Sequence, residues 1–141
     1  MTDTDPFDLQ RFVAAQAQRI DGVRAELKRG RKTSHWMWFV FPQIAGLGFS
    51  AMAQRYAIVS LDEARAYAAH PLLGTRLKEC TGLVLAHAPH SAHAIFGAPD
   101  DRKFHSSMTL FAHAAPDEPV YARALAEFFA GREDQATLER L

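Results

Sequence analysis

Residues 32–50 read KTSHWMWFVFPQIAGLGFS and contain both tryptophans of the chain, Trp36 and Trp38. Polar residues are interspersed among the aromatic ones, namely Lys32, Ser34, His35, Gln43 and Ser50. A segment that only fills a core has no need of these polar groups. A recognition site, by contrast, combines aromatic surfaces with a few polar groups that orient a ligand. The stretch therefore predicts a binding surface as well as a part of the core.

The run WMWFVF, residues 36–41, decides between a helical fold and one that contains strands. Its aromatic and β-branched residues favour a strand. However, no partner strand is evident elsewhere in the chain, and an unpaired strand is unstable. We therefore predict a short helix over residues 35–40, capped by Ser34 and ended where Pro42 forces Phe41 out of the helical region.

The rest of the chain is a succession of helical patterns joined by short connections. The N-terminal pattern begins at Asp5-Pro6 and is interrupted at Asp21-Gly22. Further helices are predicted over residues 60–69, 72–87, 92–96, 99–113, 118–130 and 134–141, with Ser60, Asp117 and Asp134 as caps. The sequence thus predicts an all-α fold, a compact single domain over residues 1–141 with about seven helices, in which residues 1–5 form a flexible tail.

The charge balance and the apolar pattern exclude several classes of protein. Sixteen Lys and Arg residues match sixteen Asp and Glu residues in the 141-residue chain. A net charge of zero argues against a protein that coats duplex nucleic acid. The N-terminus lacks the apolar segment of a signal peptide, and no apolar run reaches the roughly 18 residues of a membrane span. These features predict a cytoplasmic protein without a membrane partner, and nothing in the sequence predicts a cofactor.

A second stretch with unusual polar residues, residues 95–111, reads IFGAPDDRKFHSSMTLF. Asp100 and Asp101 stand at a predicted helix start, where acidic side chains satisfy free N–H groups and complement the helix dipole. The alternative is that one of them faces a ligand as an acid–base group or a ribose ligand. Because adjacent helix residues point about 100° apart, only one of the two is expected to do so.

Ser106 and Ser107 are poor helix formers in the middle of a predicted helix. Structurally, their hydroxyls could bond back to the preceding turn, or the small side chains could allow another helix to approach closely. Alternatively, they could contact the phosphates of a ligand together with Lys103. Both interpretations remain open from the sequence.

Three histidines, His87, His90 and His93, follow one another at three-residue spacing, and three imidazoles would suffice to bind zinc. Pro89 and the small residues around them favour exposed loop histidines instead, so no metal site is predicted. The single cysteine, Cys80, lies in a helical pattern with no neighbouring base and is expected to be an inert, half-buried thiol.

We expect residues 32–50 and 95–111 to meet in one cleft, since separate segments would each have to satisfy their buried polar atoms locally. A polar side chain of the first stretch should then lie within hydrogen-bond reach of an aspartate or serine of the second. The candidate catalytic residues are Asp100, Asp101 and His35. The candidate ligand-binding residues are Lys32, Trp36, Gln43, Lys103, Ser106 and Ser107. For His35 the alternative is a partly buried helix histidine, and one of the two tryptophans is expected in the core.

The chain resembles the bacterial domain of unknown function 1810 family. The segments that carry the resemblance are residues 9–13, 34–48, 56–58, 70–77, 95–97, 100–101, 103–111 and 129–131, with Asp134, Thr137 and Leu138. The resemblance covers nearly the whole chain and implies a compact all-α domain with no established activity. The label "calpastatin", which members of this family often carry, has no support in the sequence. A weaker similarity to the NADAR proteins, which act on N-glycosidic ADP-ribose compounds, raises the expectation of a nucleotide or ribosyl ligand.

Two functions are therefore expected from the sequence. The first is binding of a nucleotide-like or ADP-ribose-like small molecule, with hydrolysis of an N-glycosidic bond as the reaction if the protein is an enzyme. The second is a non-catalytic protein-interaction module that presents the aromatic residues 34–50 as an exposed surface. The shape around Trp36 and Trp38 distinguishes them, because a ligand site needs a concave cleft with convergent polar groups.

Overall fold

The structure, a computed structural model, describes residues 5–141 and is all-α over that range. The helices are α1 Gln10–Ala17, α2 Ile20–Arg29, α3 Met37–Val40, α4 Ala51–Arg55, α5 Leu61–Ala69, α6 Leu73–Leu85, α7 Ala92–Phe96, α8 Asp100–Ala114, α9 Pro119–Phe129 and α10 Gln135–Leu138. The β-type pairing in these residues is one isolated parallel bridge between Ile44 and Ile58. The predicted all-α fold is confirmed. Residues 5–141 contain ten helices instead of about seven, mainly because the N-terminal pattern divides into α1 and α2 and because the short helix α4 follows the aromatic run.

The N-terminal helix begins later than predicted, and the division between the two helices also falls elsewhere. The Asp5 carboxylate accepts hydrogen bonds from the backbone N–H groups of Leu9, at 2.7 Å, and Gln10, at 2.9 Å, so Asp5 caps a helix that starts four residues later than expected. The division between α1 and α2 falls before Ile20, and Gly22 lies inside α2. Residues 1–4 of the predicted flexible tail lie outside the described residues.

The predicted caps have mixed outcomes. Ser60 accepts a hydrogen bond from the backbone N–H of Glu63 at 3.1 Å, as predicted. Asp134 likewise accepts from the N–H of Thr137 at 3.2 Å. The prediction for Asp117 is wrong, because α9 begins with Pro119 as its first residue and no side chain caps it. Proline suits this position because its backbone has no N–H to satisfy.

The aromatic run forms a helix, but a shorter one than predicted, since α3 begins at Met37. Ser34 does not cap it. Its hydroxyl donates instead to the carboxylate of Glu26 on α2, a contact between the α2–α3 connection and α2 that the local pattern does not reveal.

Helix α8 is the centre of the molecule and packs against α5, α7, α9 and α10. Its Phe104 is fully buried and contacts four other rings, the two nearest being Phe96, stacked at 4.8 Å between ring centroids, and Phe41, edge-on at 5.1 Å. Phe41 belongs to the first aromatic stretch, whereas Phe96 and Phe104 belong to the second. Aromatic packing of this kind therefore joins the two stretches in the core.

None of the helices in the described part of the chain is long and apolar enough to cross a membrane.

Candidate functional site

The two unusual stretches meet through Lys32 and Asp100. The Nζ atom of Lys32 lies 2.7 Å from Oδ2 of Asp100, and only 6% of the Lys32 side chain is exposed. The backbone N–H of Lys32 also donates to the carbonyl oxygen of Ile95 at 2.8 Å. The predicted contact between a polar side chain of residues 32–50 and an aspartate of residues 95–111 is thus confirmed.

Each of the two lysines at this junction also lies over a tryptophan ring. Lys32 Nζ is 5.0 Å from the ring centroid of Trp36, and Lys103 Nζ is 5.3 Å from that of Trp38. Lys103 Nζ is also 3.7 Å from Oδ1 of Asp100, so this carboxylate lies between the two cations. Cation–π and ion-pair contacts restrict the long lysine side chains to one region. Asp100 consequently positions both lysines.

A buried carboxylate that the sequence did not indicate supports the start of the first stretch. Glu26 accepts hydrogen bonds from the backbone N–H groups of Thr33 and Ser34, the Ser34 hydroxyl and the Trp36 indole. Burial opposes ionisation of Glu26, but the four donors outweigh it and lower the pKa of Glu26 to about 2. Glu26 lies in the amphipathic pattern of α2, where a glutamate is usually solvated, so no local signal identified it.

A cleft of about 280 Å³ lies between residues 43–48, helix α8 and the start of α10. Its lining residues are Gln43, Leu47, Gly48, Pro99, Arg102, Lys103, Ser106, Asp134 and Ala136. Three of them, Gln43, Lys103 and Ser106, are predicted ligand-binding residues from the two stretches. A Cβ atom at Gly48 would lie 2.7 Å from Cβ of Ala53 and 3.4 Å from Nε2 of Gln43, so this wall is closely packed.

Other predicted site residues do not line this cleft. Lys32 borders a neighbouring cleft of about 300 Å³ with residues 93–97. Asp101 borders a third, of about 260 Å³, where its Oδ2 lies 3.2 Å from Nδ1 of His93. His35 is exposed, and its imidazole has no hydrogen-bond partner in residues 5–141. The structure thus separates Asp101 and His35 from the cleft that contains Gln43 and Lys103.

Two predicted ligand contacts need correction, since Trp36 and Ser107 are both fully buried. Trp36 is held in the core by the bond from its indole to Glu26, which leaves no ring surface for a ligand to stack on. Ser107 is on the inner side of α8, and its hydroxyl lacks a hydrogen-bond partner in the described structure. The expectation of one core tryptophan is confirmed, because Trp38 is only partly buried.

Asp134 and Arg102 line the cleft although neither was predicted as a site residue. Asp134 is the predicted cap of α10, and its Oδ2 also accepts a hydrogen bond from the Ser106 hydroxyl at 2.9 Å. The capping signal of Asp134 is local, so the sequence could assign its backbone role. Its proximity to Ser106 depends on how α10 packs against α8.

Comparison with known proteins agrees with the resemblance that the motifs carry. A family model described as "Protein of unknown function (DUF1810)" matches residues 6–141. The chain belongs to the DUF1810 family. A solved structure of a conserved hypothetical protein, Rv1873 from Mycobacterium tuberculosis, is 55% identical, with a TM-score of 0.95 over 97% of this chain and 98% of that one. No curated protein matches, and neither match supports the NADAR similarity or the calpastatin label.

In this DUF1810 protein the histidines of residues 87–93 are dispersed. His87 Nε2 lies 2.8 Å from the carbonyl oxygen of Leu27, His93 pairs with Asp101, and His90 is exposed. No group of three or more His, Cys, Asp or Glu side chains placed to hold a metal ion occurs in residues 5–141. Cys80 is buried, and burial raises the pKa of its thiol to about 12. A thiol with so high a pKa is almost entirely protonated near neutral pH and is a poor nucleophile.

Proposed function

We propose that the cleft between residues 43–48 and α8 binds a nucleotide-like or ADP-ribose-like small ligand. The observation that carries the proposal is that residues from two distant stretches, Gln43 from one and Lys103 and Ser106 from the other, border one concave space. Convergent polar groups around a cleft are typical of a small-molecule site.

Lys103 is the residue best suited to hold an anionic group of this ligand. Its ammonium is already confined by Trp38 and Asp100, so binding an anionic oxygen costs less side-chain entropy than it would for a free lysine. Arg102, on the same wall, adds a second cation. Guanidinium groups bind phosphate through paired hydrogen bonds, while a lysine acts as a point charge.

Neither of the aspartates predicted as catalytic lines this cleft, so the proposal concerns binding rather than catalysis. Hydrolysis of an N-glycosidic bond would need a carboxylate beside the sugar carbon to stabilise an oxocarbenium-like centre. Asp100 is ion-paired with Lys32, and Asp101 borders a different cleft. We therefore propose that Asp100 positions Lys103 and has no catalytic role.

The substitution Lys103→Met tests the proposal directly. The wild-type protein is expected to bind AMP or ADP-ribose in isothermal titration calorimetry, and Lys103→Met should weaken that binding at least tenfold. The reason is that a hydrogen bond to a charged group contributes about 1.5–3 kcal/mol, and about 1.4 kcal/mol is a factor of ten. Lys28→Met, which removes an exposed lysine of α2 that does not line the cleft, is the matched control and should bind like the wild type. Folded wild-type protein that binds neither ligand at millimolar concentration would refute the proposal.

One observation supports the second candidate function, that of a protein-interaction module. Most aromatic residues of positions 34–50 are buried, so the stretch as a whole is not the exposed surface that this alternative expected. However, Phe49 is 82% exposed and Val59 is 68% exposed. Large apolar side chains on a surface can mark a contact with another protein, although single ones are common.

Photo-crosslinking tests this alternative. A benzophenone amino acid in place of Phe49 is expected to give a discrete protein adduct in cells if this residue contacts a partner. The same amino acid at Ala122, an exposed position on α9, serves as the control. Equal adduct patterns at the two positions would exclude Phe49 as a contact residue.

A further inference from the structure

The inference concerns Asp134 and rests on the proposed function of the cleft lined by Gln43, Lys103 and Ser106. Asp134 borders the same cleft. The two aspartates that the sequence favoured are engaged elsewhere: Asp100 by Lys32 and Lys103, and Asp101 by His93 and the backbone N–H of Arg102. Asp134 is therefore the carboxylate placed to meet a ligand in this cleft.

The Asp134 carboxylate is held in one orientation by its Oδ2 atom. That atom accepts hydrogen bonds from the Ser106 hydroxyl at 2.9 Å, the Thr137 hydroxyl at 2.6 Å and the Thr137 N–H at 3.2 Å. The backbone N–H of Asp134 donates in turn to Oγ1 of Thr109 at 2.9 Å, which ties the residue to α8. In contrast, Oδ1 has no hydrogen-bond or ion-pair partner among residues 5–141. A fixed carboxylate thus keeps one oxygen available as an acceptor.

The charges around the cleft are arranged for a ligand with two kinds of polar group. Arg102 and Lys103 line the same space as Asp134, yet neither forms an ion pair with it. Opposite charges that share a small cleft without pairing can each bind a different part of one molecule. Cations bind phosphate, and an aspartate that accepts hydrogen bonds from ribose hydroxyls is a recurrent element of nucleotide sites.

The size of the cleft limits what it can enclose. Its volume of about 280 Å³ lies just below the range for small-molecule sites, roughly 300–1,000 Å³. We infer that the cleft recognises the pentose-phosphate unit of a nucleotide-type ligand, with Asp134 Oδ1 accepting hydrogen bonds from the vicinal hydroxyls and Lys103 and Arg102 binding the phosphate. The remainder of a larger ligand would lie outside the cleft.

Calorimetry on the full chain with AMP and 2′,3′-dideoxy-AMP tests the assignment, since the two ligands differ only in the vicinal hydroxyls. The wild type is expected to bind AMP at least tenfold more tightly than the dideoxy compound. Asp134→Asn should remove that preference by weakening AMP binding and leave the dideoxy compound unchanged. In this variant the amide oxygen can keep the bonds to Ser106 and Thr137, which places an N–H donor where the ligand needs an acceptor.

Asp101→Asn is the matched control, and it should retain the preference for AMP because Asp101 borders a different cleft. If Asp134→Asn does not fold, Asp134→Ser keeps a helix-capping side chain and replaces it in the experiment. Equal wild-type affinities for AMP and dideoxy-AMP would overturn the role of Asp134 and leave the proposed function standing. Binding of neither would overturn both.

A further arm uses O-phosphoethanolamine, which carries a phosphate and an ammonium group but no vicinal hydroxyls. If the cleft recognises a pentose phosphate, O-phosphoethanolamine should bind at least tenfold more weakly than AMP. Tighter binding than AMP, lost in Asp134→Asn, would mean that the carboxylate recognises a cation, and it would overturn the assignment of a sugar.

Discussion

Replacing Glu26 by glutamine is expected to lower the free energy of unfolding at pH 7 by at least about 3 kcal/mol, as measured by urea denaturation. The estimate follows from the folded pKa of about 2 against an ordinary value of 4.5, at about 1.4 kcal/mol per pKa unit. Glu26 is only 7% exposed, so solvent screens its hydrogen bonds little. The amide NH₂ of glutamine would also face N–H donors where the carboxylate offered acceptors, which leaves buried groups unsatisfied.

The same residue predicts a specific dependence of stability on pH. The folded-state pKa of Glu26 is lower than its unfolded-state value, so its contribution is complete above about pH 5 and is lost as pH falls toward 2. The difference in stability between the wild type and Glu26→Gln should therefore shrink by about 3 kcal/mol between pH 6 and pH 2. The other carboxylates are present in both proteins, so their contributions to the pH dependence of stability largely cancel in this difference.

Glu79→Gln is the control for these measurements. Glu79 pairs with Arg24 on the surface, with 42% of its side chain exposed. Exposed ion pairs contribute roughly 0–1 kcal/mol, so this variant should stay close to the wild type at pH 7. A Glu26→Gln protein as stable as Glu79→Gln would show that the buried carboxylate is not needed to hold residues 33–36.

The second large effect is expected for Gly74→Ala, near the start of α6. A Cβ atom at Gly74 would overlap the carbonyl oxygen of Ala68 and lie 2.9 Å from its carbonyl carbon, so the backbone of α5 approaches α6 too closely for a side chain. Both partners are backbone atoms of packed helices, and neither can move by a change of rotamer. We expect a loss of about 3 kcal/mol or more, the upper end for overpacked sites, and a lower thermal midpoint.

Gly82→Ala in the same helix is the matched control for Gly74→Ala. A Cβ atom at Gly82 would meet nothing within 4 Å, and the position is exposed. Alanine is favoured over glycine in a helix by roughly 0.5–1 kcal/mol, so this variant should be more stable than the wild type. Opposite signs for the two substitutions are the expected result, and a Gly74→Ala protein as stable as Gly82→Ala would argue against the close approach of α5 and α6.

Local signals in the sequence predicted several elements closely. Ser60, three residues before Glu63, predicted the start of α5, and Pro99 followed by two aspartates predicted the start of α8. Capping residues and prolines act on the backbone within one turn, so their effect is present in the sequence itself. The predicted cap Ser34 is wrong because its hydroxyl donates to the carboxylate of Glu26 and is not available to cap α3.

The candidate site was predicted in part for a similar reason. Gln43, Lys103 and Ser106 stood out because polar residues interrupt apolar or helical patterns there, and all three line one cleft. Trp36 and Ser107 belong to the same patterns, yet they are completely buried, whereas Ser106 keeps 7% of its surface exposed. The sequence places residues on a helix, but the choice between core and cleft depends on which neighbouring helix covers each face.

By itself, the sequence determined the all-α class, the positions of most helices and the two stretches that meet, because these follow from periodicity, capping and composition along the chain. Only the tertiary structure decided that Lys32 pairs with Asp100, that Glu26 is the buried acceptor for residues 33–36, and that Asp134 borders the cleft. Lys32 and Asp100 are far apart in sequence, as are Asp134 and the cleft residues of α8, and Glu26 meets residues 33–36 across the turn that follows α2. Their existence depends on how the helices pack, and burial then determines which polar groups must pair with one another and which remain available to a ligand.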